Sequence, residues 1–239
     1  MDKTPLTVML RSALFSIVMV MVTIFYASLS LFTFPLAPHL RYRFITQWSR
    51  FIIWWLAISC NIHYQVIGRG NIPTQNCIIL SNHQSTWETL ALQLIFPKQT
   101  WVIKRELLWV PFFGWALALL KPIAIDRHAG NKALSQLLEQ GTQRLQQGYW
   151  IIVFPEGTRI AYGKQGRFGR GGVALAKASS HPIIPVAHNA GKFWPRRGFI
   201  KYPGTIQIII GPVINSQDQT IEQIREQAKQ WIEQTLTTL

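Results

Sequence analysis

A histidine and a carboxylate five residues apart, His83 and Glu88, stand in the segment NHQSTWE (residues 82–88), directly after an apolar run. Residues 77–80 read as a short buried strand and residues 86–95 as a helix, so His83 falls at a strand-to-helix turn. A general base needs a partner that fixes its tautomer and stabilises its protonated form, and Glu88 can fold back to supply one. A second segment, FPEGTR (residues 154–159), closes another apolar run. Its Gly157 lets the backbone turn sharply, Glu156 can hold the loop, and Arg159 can grip a phosphate with two hydrogen bonds. Together the two segments describe a catalytic site with an anion pocket. Lys104 and Arg105, at the end of a further apolar run, are second candidates for phosphate or oxyanion contacts, and Arg127 is a third. Ser85 reads as a hydrogen bonder at the helix start that supports the site. Ser81 and Ser85 flank the histidine, but the chain contains no G-x-S-x-G elbow, which disfavours a covalent serine route.

NHQSTWE resembles the HxxxxD/E signature of the glycerolipid acyltransferases, and FPEGTR resembles their second signature nearly letter for letter. Two further blocks fit the same family in the same order, WVIKRELLWVPFFGWAL (residues 101–117) and IIPVAHNAG (residues 183–191). One such motif arises by chance; four in order, over roughly residues 75 to 215, resemble the bacterial 1-acylglycerol-3-phosphate acyltransferases. Glu88 stands where many members carry Asp, which changes reach but not charge. The resemblance implies transfer of a fatty acyl group from acyl-CoA or acyl-carrier protein to the sn-2 hydroxyl of lysophosphatidic acid, giving phosphatidic acid. His83 would be the base in a direct attack, Glu88 its orienting partner, and FPEGTR the grip on the glycerol phosphate. Pro185 would shape the acyl-donor wall, and the aromatic stretch at residues 109–115 would line an acyl tunnel or fill core. His188 has no acidic neighbour in sequence and reads as structural. No metal-ligand cluster appears, so the expected chemistry uses no metal and no cofactor beyond the thioester co-substrate. Competing readings are acylation of another lysophospholipid or an amino-acid-containing lysolipid, hydrolysis of a lysolipid, and a non-catalytic membrane protein that binds anionic lipid.

The chain has 239 residues with 24 Lys and Arg against 10 Asp and Glu, a net charge of +14. The distribution is more telling, since residues 157–217 hold no acidic residue at all. A field of one sign draws phospholipid headgroups, a phosphorylated substrate, CoA or an acidic carrier protein. Phe193, Trp194, Phe199 and Tyr202 interleave with the basic residues there, which favours an interface. Nucleic acid is disfavoured, because neither zinc-finger spacing nor an RNA-binding aromatic signature occurs. Cys60 and Cys77 lack metal spacing and read as reduced thiols.

Residues 12–34 contain no charged side chain. About 20 apolar residues suffice to span a bilayer, and the run exceeds the roughly 7–15 residues of a signal-peptide core. Residues 45–60 form a second apolar segment, in which Trp48, Trp54 and Trp55 suit a headgroup boundary. Residues 1–61 are therefore expected to anchor the chain, either by spanning the membrane or as a helical hairpin dipping into one leaflet. Arg41, Arg43 and Arg50 outnumber Lys3 and Arg11, which places the remainder on the cytoplasmic side of a bacterial inner membrane. Over residues 62–239, strands are expected at 64–67, 77–80, 101–103, 122–125, 150–154, 183–186 and 205–210. Helices are expected at 86–95, 112–120, 131–147, 172–179 and 217–236, the last a packing helix. That alternation predicts an α/β catalytic domain with a largely parallel or mixed sheet flanked by helices.

Overall fold

The computed structural model describes residues 5–126 and 129–239, and Arg127 lies outside them. Two long helices come first, α1 (Leu6–Leu31) and α2 (Pro38–Cys60), packed against each other as a hairpin. Proline at the start of α2 leaves no amide unpaired that the helix would have used. Asn61 then ends it in the left-handed region at φ 53° and turns the chain into the sheet. Along α1, Leu10, Leu14, Ile17, Met21, Ile24 and Phe25 are all more than half exposed, and α1 is long and apolar enough to cross a bilayer. Among the described residues α2 does not meet that measure. It carries Arg41, Arg43 and Arg50, and it turns Ile45, Ile52, Ile53 and Leu56 into the protein core.

The α/β part runs β1 (Ile62–Ile67), β2 (Ile78–Ser81), α3 (Trp87–Ile95), β3 (Gln99–Lys104), α4 (Phe113–Ala118) and β4 (Ile123–Ile125). It continues α5 (Asn131–Gln146), β5 (Trp150–Val153), α6 (Gly171–Ser179), β6 (Ile183–His188), α7 (Ala190–Phe193), β7 (Gly204–Ile210) and α8 (Ile221–Thr237). The strands form one sheet in the order β1-β7-β6-β2-β5-β3-β4. All neighbours are parallel except β6 and β7. The mixed sheet expected from the sequence is thus present, with β1 and β7 opposed to the other five. Every strand and helix expected over residues 62–239 is found, within a few residues at each end.

Alternation along the strands divides the core in two. Ile79, Ile152, Ile184 and Ile206 face α2 and α3, with Phe15 of α1 joining the same cluster. Ile78, Leu80, Ile151 and Ile183 face the opposite way, onto α6 and the buried stripe Ile224, Ala228 and Ile232 of α8. Strands β2 and β5 are buried at every position, which explains their unbroken apolar sequences.

A buried lysine ties α1 to this unit. Lys201 is 4% exposed, its amide donates to Ser12 Oγ at 2.9 Å, and its Nζ donates to Ser16 Oγ at 3.0 Å and to the Phe199 carbonyl at 2.7 Å. The rings of Phe15, Trp194 and Phe199 surround the same Nζ, each centroid 5.4 Å away. Burial pulls the Lys201 pKa below its ordinary value. Replacing Lys201 with Ala should cost about 1–3 kcal/mol, from lost cation–π contacts and orphaned acceptors. Thermal unfolding in detergent, with Lys177→Ala as a surface control, measures it. Equal transition temperatures in the two variants would contradict the anchoring role.

Candidate active site

Five parallel strands end on one edge of the sheet, where α/β proteins gather their ligands. His83 follows the end of β2, residues 154–159 follow β5, His188 closes β6 and Lys104 closes β3. The turn after β2 is organised by Glu88, which is fully buried in the first turn of α3. Its Oε1 lies 2.7 Å from His83 Nδ1 and accepts the amides of Gln84 at 2.9 Å and Ser85 at 2.8 Å. A carboxylate only accepts, so Nδ1 of His83 carries the proton and Nε2 is left unprotonated in the neutral ring. Burial pushes the Glu88 carboxyl up. The positive ends of His188 and His83 and the Ser85 amide outweigh that and hold it below its ordinary range. The long Glu side chain therefore reaches back across five residues with good geometry.

The ring of His83 is held flat on Phe154, centroids 4.1 Å apart and planes 14° from parallel. Its backbone is clamped by the FPEGTR loop on both sides. The His83 amide donates to Glu156 Oε2 at 2.8 Å, and the Ile160 amide donates to the His83 carbonyl at 2.7 Å. Gly157 turns the loop between those two contacts at φ 67°, a value that favours glycine. Burial pushes the Glu156 carboxyl up to about 7. The bond from the His83 amide lowers it, and the negative charge of Glu88 raises it further.

Behind the turn, His188 is fully buried and exchanges three hydrogen bonds with Asn82. Its amide donates to Asn82 Oδ1 at 3.0 Å, its carbonyl accepts from Asn82 Nδ2 at 2.9 Å, and its Nε2 donates to the Asn82 carbonyl at 2.9 Å. Nδ1 accepts the Ala190 amide at 3.3 Å, so both ring nitrogens are satisfied in the neutral form. Burial lowers the His188 pKa, against the pull of Glu88, which agrees with that neutral ring. Among the described residues Glu88 Oε2 has no hydrogen-bond partner, and it sits 4.0 Å from His188 Nε2. His188 thus backs the carboxylate in space, a relation that 99 intervening residues hide in the sequence.

A cavity of about 610 Å³ opens beside His83. Its apolar walls come from α1, α2, α3, β3 and α4, including Met19, Tyr26, Trp48, Leu90, Trp101 and Leu117. Its polar lining includes His83, Lys104, Gly157, Arg159, Arg196 and Arg197. The sequence candidates His83, Lys104, Gly157 and Arg159 are therefore brought to one cavity, with Glu88 and Glu156 bonded to His83 behind it. Ser85 Oγ accepts the Trp87 amide at 3.2 Å, the helix-start role expected of it. Arg105 is not in the lining. Its guanidinium points to Asp126 at 3.5 Å and lies over Trp109, so the end of β3 presents Lys104 to the cavity instead. Pro185 is also displaced from its expected place at an acyl-donor wall. It pairs with Leu80 in the sheet and packs beside Gly211 and Trp231, away from the cavity, because strand alternation turns it that way. Of residues 109–115 only Phe113 lines the cavity, while Trp109, Phe112 and Trp115 are exposed. Arg196 and Arg197 were visible in sequence only as part of a basic stretch.

The Acyltransferase family model matches residues 63–189, and the chain belongs to that family. It is 47% identical over 235 residues to a 1-acyl-sn-glycerol-3-phosphate acyltransferase of Pseudomonas aeruginosa, covering 96% of this chain and 91% of the relative. It is 35% identical over 156 residues to the mouse 1-acyl-sn-glycerol-3-phosphate acyltransferase alpha, covering 64% of this chain and 54% of that protein. The fold is that of the crystal structure of the 1-acyl-sn-glycerophosphate acyltransferase of Thermotoga maritima. The TM-score is 0.79 over 96% of this chain and 94% of the other, at 22% identity.

The raised Glu156 sets a pH dependence. Between about 4.5 and about 7 the folded protein holds a proton that the unfolded chain has released. That contribution is complete below the unfolded value and is lost as pH rises through the folded one. Thermal stability should therefore fall across this window, and Glu156→Gln should flatten the fall. Parallel profiles for the two proteins would contradict a buried, ionisable Glu156.

Proposed function

We propose that the protein transfers a fatty acyl group from acyl-CoA or acyl-carrier protein to the sn-2 hydroxyl of lysophosphatidic acid, making phosphatidic acid. The observation that carries this reading is His83. It is bonded through Nδ1 to a buried carboxylate and turns its other side to an apolar cavity lined by cations. The names of the relatives above supply the substrate class.

In this reaction Nε2 of His83 takes the proton of the glycerol hydroxyl as its oxygen attacks the thioester carbonyl. The tetrahedral intermediate then collapses, the carbon–sulfur bond breaks, and the imidazolium returns the proton to the leaving thiolate. Glu88 holds the ring in the tautomer that leaves Nε2 free and stabilises the imidazolium. Arg159 and Lys104 bind the acceptor phosphate, with Gly157 and Glu156 shaping and pinning the loop that carries Arg159. The apolar walls take fatty chain. Direct transfer is favoured over an acyl-serine route, since Ser81 and Ser85 are both fully buried and both engaged in hydrogen bonds. Nothing in this scheme calls for a metal or an organic cofactor. The exposed apolar face of α1 supports attachment to a membrane, and the excess of Arg41, Arg43 and Arg50 over Lys3 and Arg11 favours the cytoplasmic side of a bacterial inner membrane for the α/β unit.

The purified protein in detergent should release thiol and form phosphatidic acid in equal amounts from either donor and lysophosphatidic acid. His83→Ala and Glu88→Gln should each lower kcat by about 10²–10⁴-fold, the usual range for losing a positioned base or its partner. Thiol release without lipid product would point to hydrolysis. Turnover only with another lysolipid would move the acceptor assignment.

A further inference from the structure

Residues 195–198 form a hydrogen-bonded turn, with the Gly198 amide 3.0 Å from the Pro195 carbonyl and Arg196 and Arg197 at its two central positions. Arg197 occupies the third position at φ 57°, a left-handed conformation that turns of this kind reserve for glycine or asparagine. An arginine held there is strained, and such strain persists where the surroundings over-determine it. They do so here. Trp194, on one side, is buried edge-on against Phe15 at 5.2 Å, and on the other side Lys201 sits in its cage of aromatic rings. The turn is thus braced at both ends and presents both arginines to the cavity that contains His83.

The two guanidinium groups have different surroundings. Arg196 Nη1 donates to the Arg159 carbonyl and fixes the FPEGTR loop. Arg197 is exposed, and among the described residues it has no carboxylate partner. Lys104, Arg159 and Arg196 have none either, so four unpaired cations line one cavity. Three separate segments supply them. Lys104 ends β3, Arg159 lies in the loop after β5, and the Arg196–Arg197 turn follows α7. One phosphate monoester carries at most two negative charges, so the acceptor alone leaves cations over.

We propose that the Arg196–Arg197 turn is a second phosphate subsite, and that Arg197 there binds the phosphate carried by the acyl donor. This rests on the acyl-transfer reading above, with Arg159 and Lys104 on the acceptor phosphate. Both donor types carry a phosphate on the pantetheine arm, and CoA carries further phosphates on its nucleotide. An exposed arginine at the cavity rim suits a donor that arrives from water, whereas a lysolipid arrives along the membrane.

The test compares wild type, Arg197→Gln and Arg159→Gln with three substrates varied in turn: acyl-CoA, acyl-carrier protein and lysophosphatidic acid. Arg197→Gln should raise the KM for donor about tenfold or more, the size expected for one charge-assisted contact, with little change in the KM for lysophosphatidic acid. Arg159→Gln should do the reverse. An effect on both donors assigns the pantetheine phosphate, and an effect on acyl-CoA alone assigns the nucleotide phosphates. The difference between wild type and Arg197→Gln should vanish with an acyl-N-acetylcysteamine donor, which has no phosphate. Binding of free CoA, measured by calorimetry, should weaken by a similar factor in Arg197→Gln whether or not turnover is seen. An unchanged donor KM and CoA affinity, or a rise confined to the lysophosphatidic acid KM, would overturn the assignment. Absence of turnover in the wild type with every substrate would instead sink the acyl-transfer reading, while CoA binding still decides the subsite.

Discussion

A carboxylate with no exposure to water organises this site. Burying an ion costs several kcal/mol, and the cost must be met by hydrogen bonds. Glu88 Oε1 receives three of them, from the His83 ring and from the amides of Gln84 and Ser85. Hydrogen bonds to a charged group contribute about 1.5–3 kcal/mol each, so three are of the size needed to offset the burial. The turn after β2 must adopt the conformation that delivers those donors, and that conformation is what fixes the imidazole. Base orientation and loop folding are one constraint here.

The rest of the molecule holds that turn from three directions. Asn82 and His188 lock it to the end of β6, Glu156 and Ile160 lock it to the loop after β5, and Phe154 supports the ring from below. Each support comes from a neighbouring parallel strand, so the sheet order β6-β2-β5 is what brings them together. The helical hairpin then does more than extend the chain. Side chains of α1 and α2 form part of the cavity wall, and the Lys201 cage keeps α1 against the α/β unit. A change in the seating of α1 would therefore be felt beside His83.

Much of this was legible in the sequence because the informative signals are local. The strand-to-helix turn at His83, the five-residue reach of Glu88 and the positions of the seven strands depend on apolar runs and short spacings. The face that Pro185 presents is not legible locally, because its block marks the strand while alternation decides the face, and alternation cannot be oriented without the partner strands. Arg105 gave way to its neighbour Lys104 for a similar reason, since one residue at a strand end selects the direction. His188 and the Arg196–Arg197 turn were beyond local reading. Their meaning comes from contacts with Asn82 and Arg159, more than 35 residues away in each case.

The central claim is that Glu88 sets the tautomer of His83 and leaves Nε2 free to accept a proton. Nitrogen-15 NMR of histidine-labelled protein in detergent, with the His83 signals assigned through His83→Gln, reads this directly. The neutral ring is predicted to show a protonated Nδ1 and an unprotonated Nε2. A proton on Nε2 of the neutral ring would contradict the account, because the nitrogen facing the cavity could then donate but not abstract.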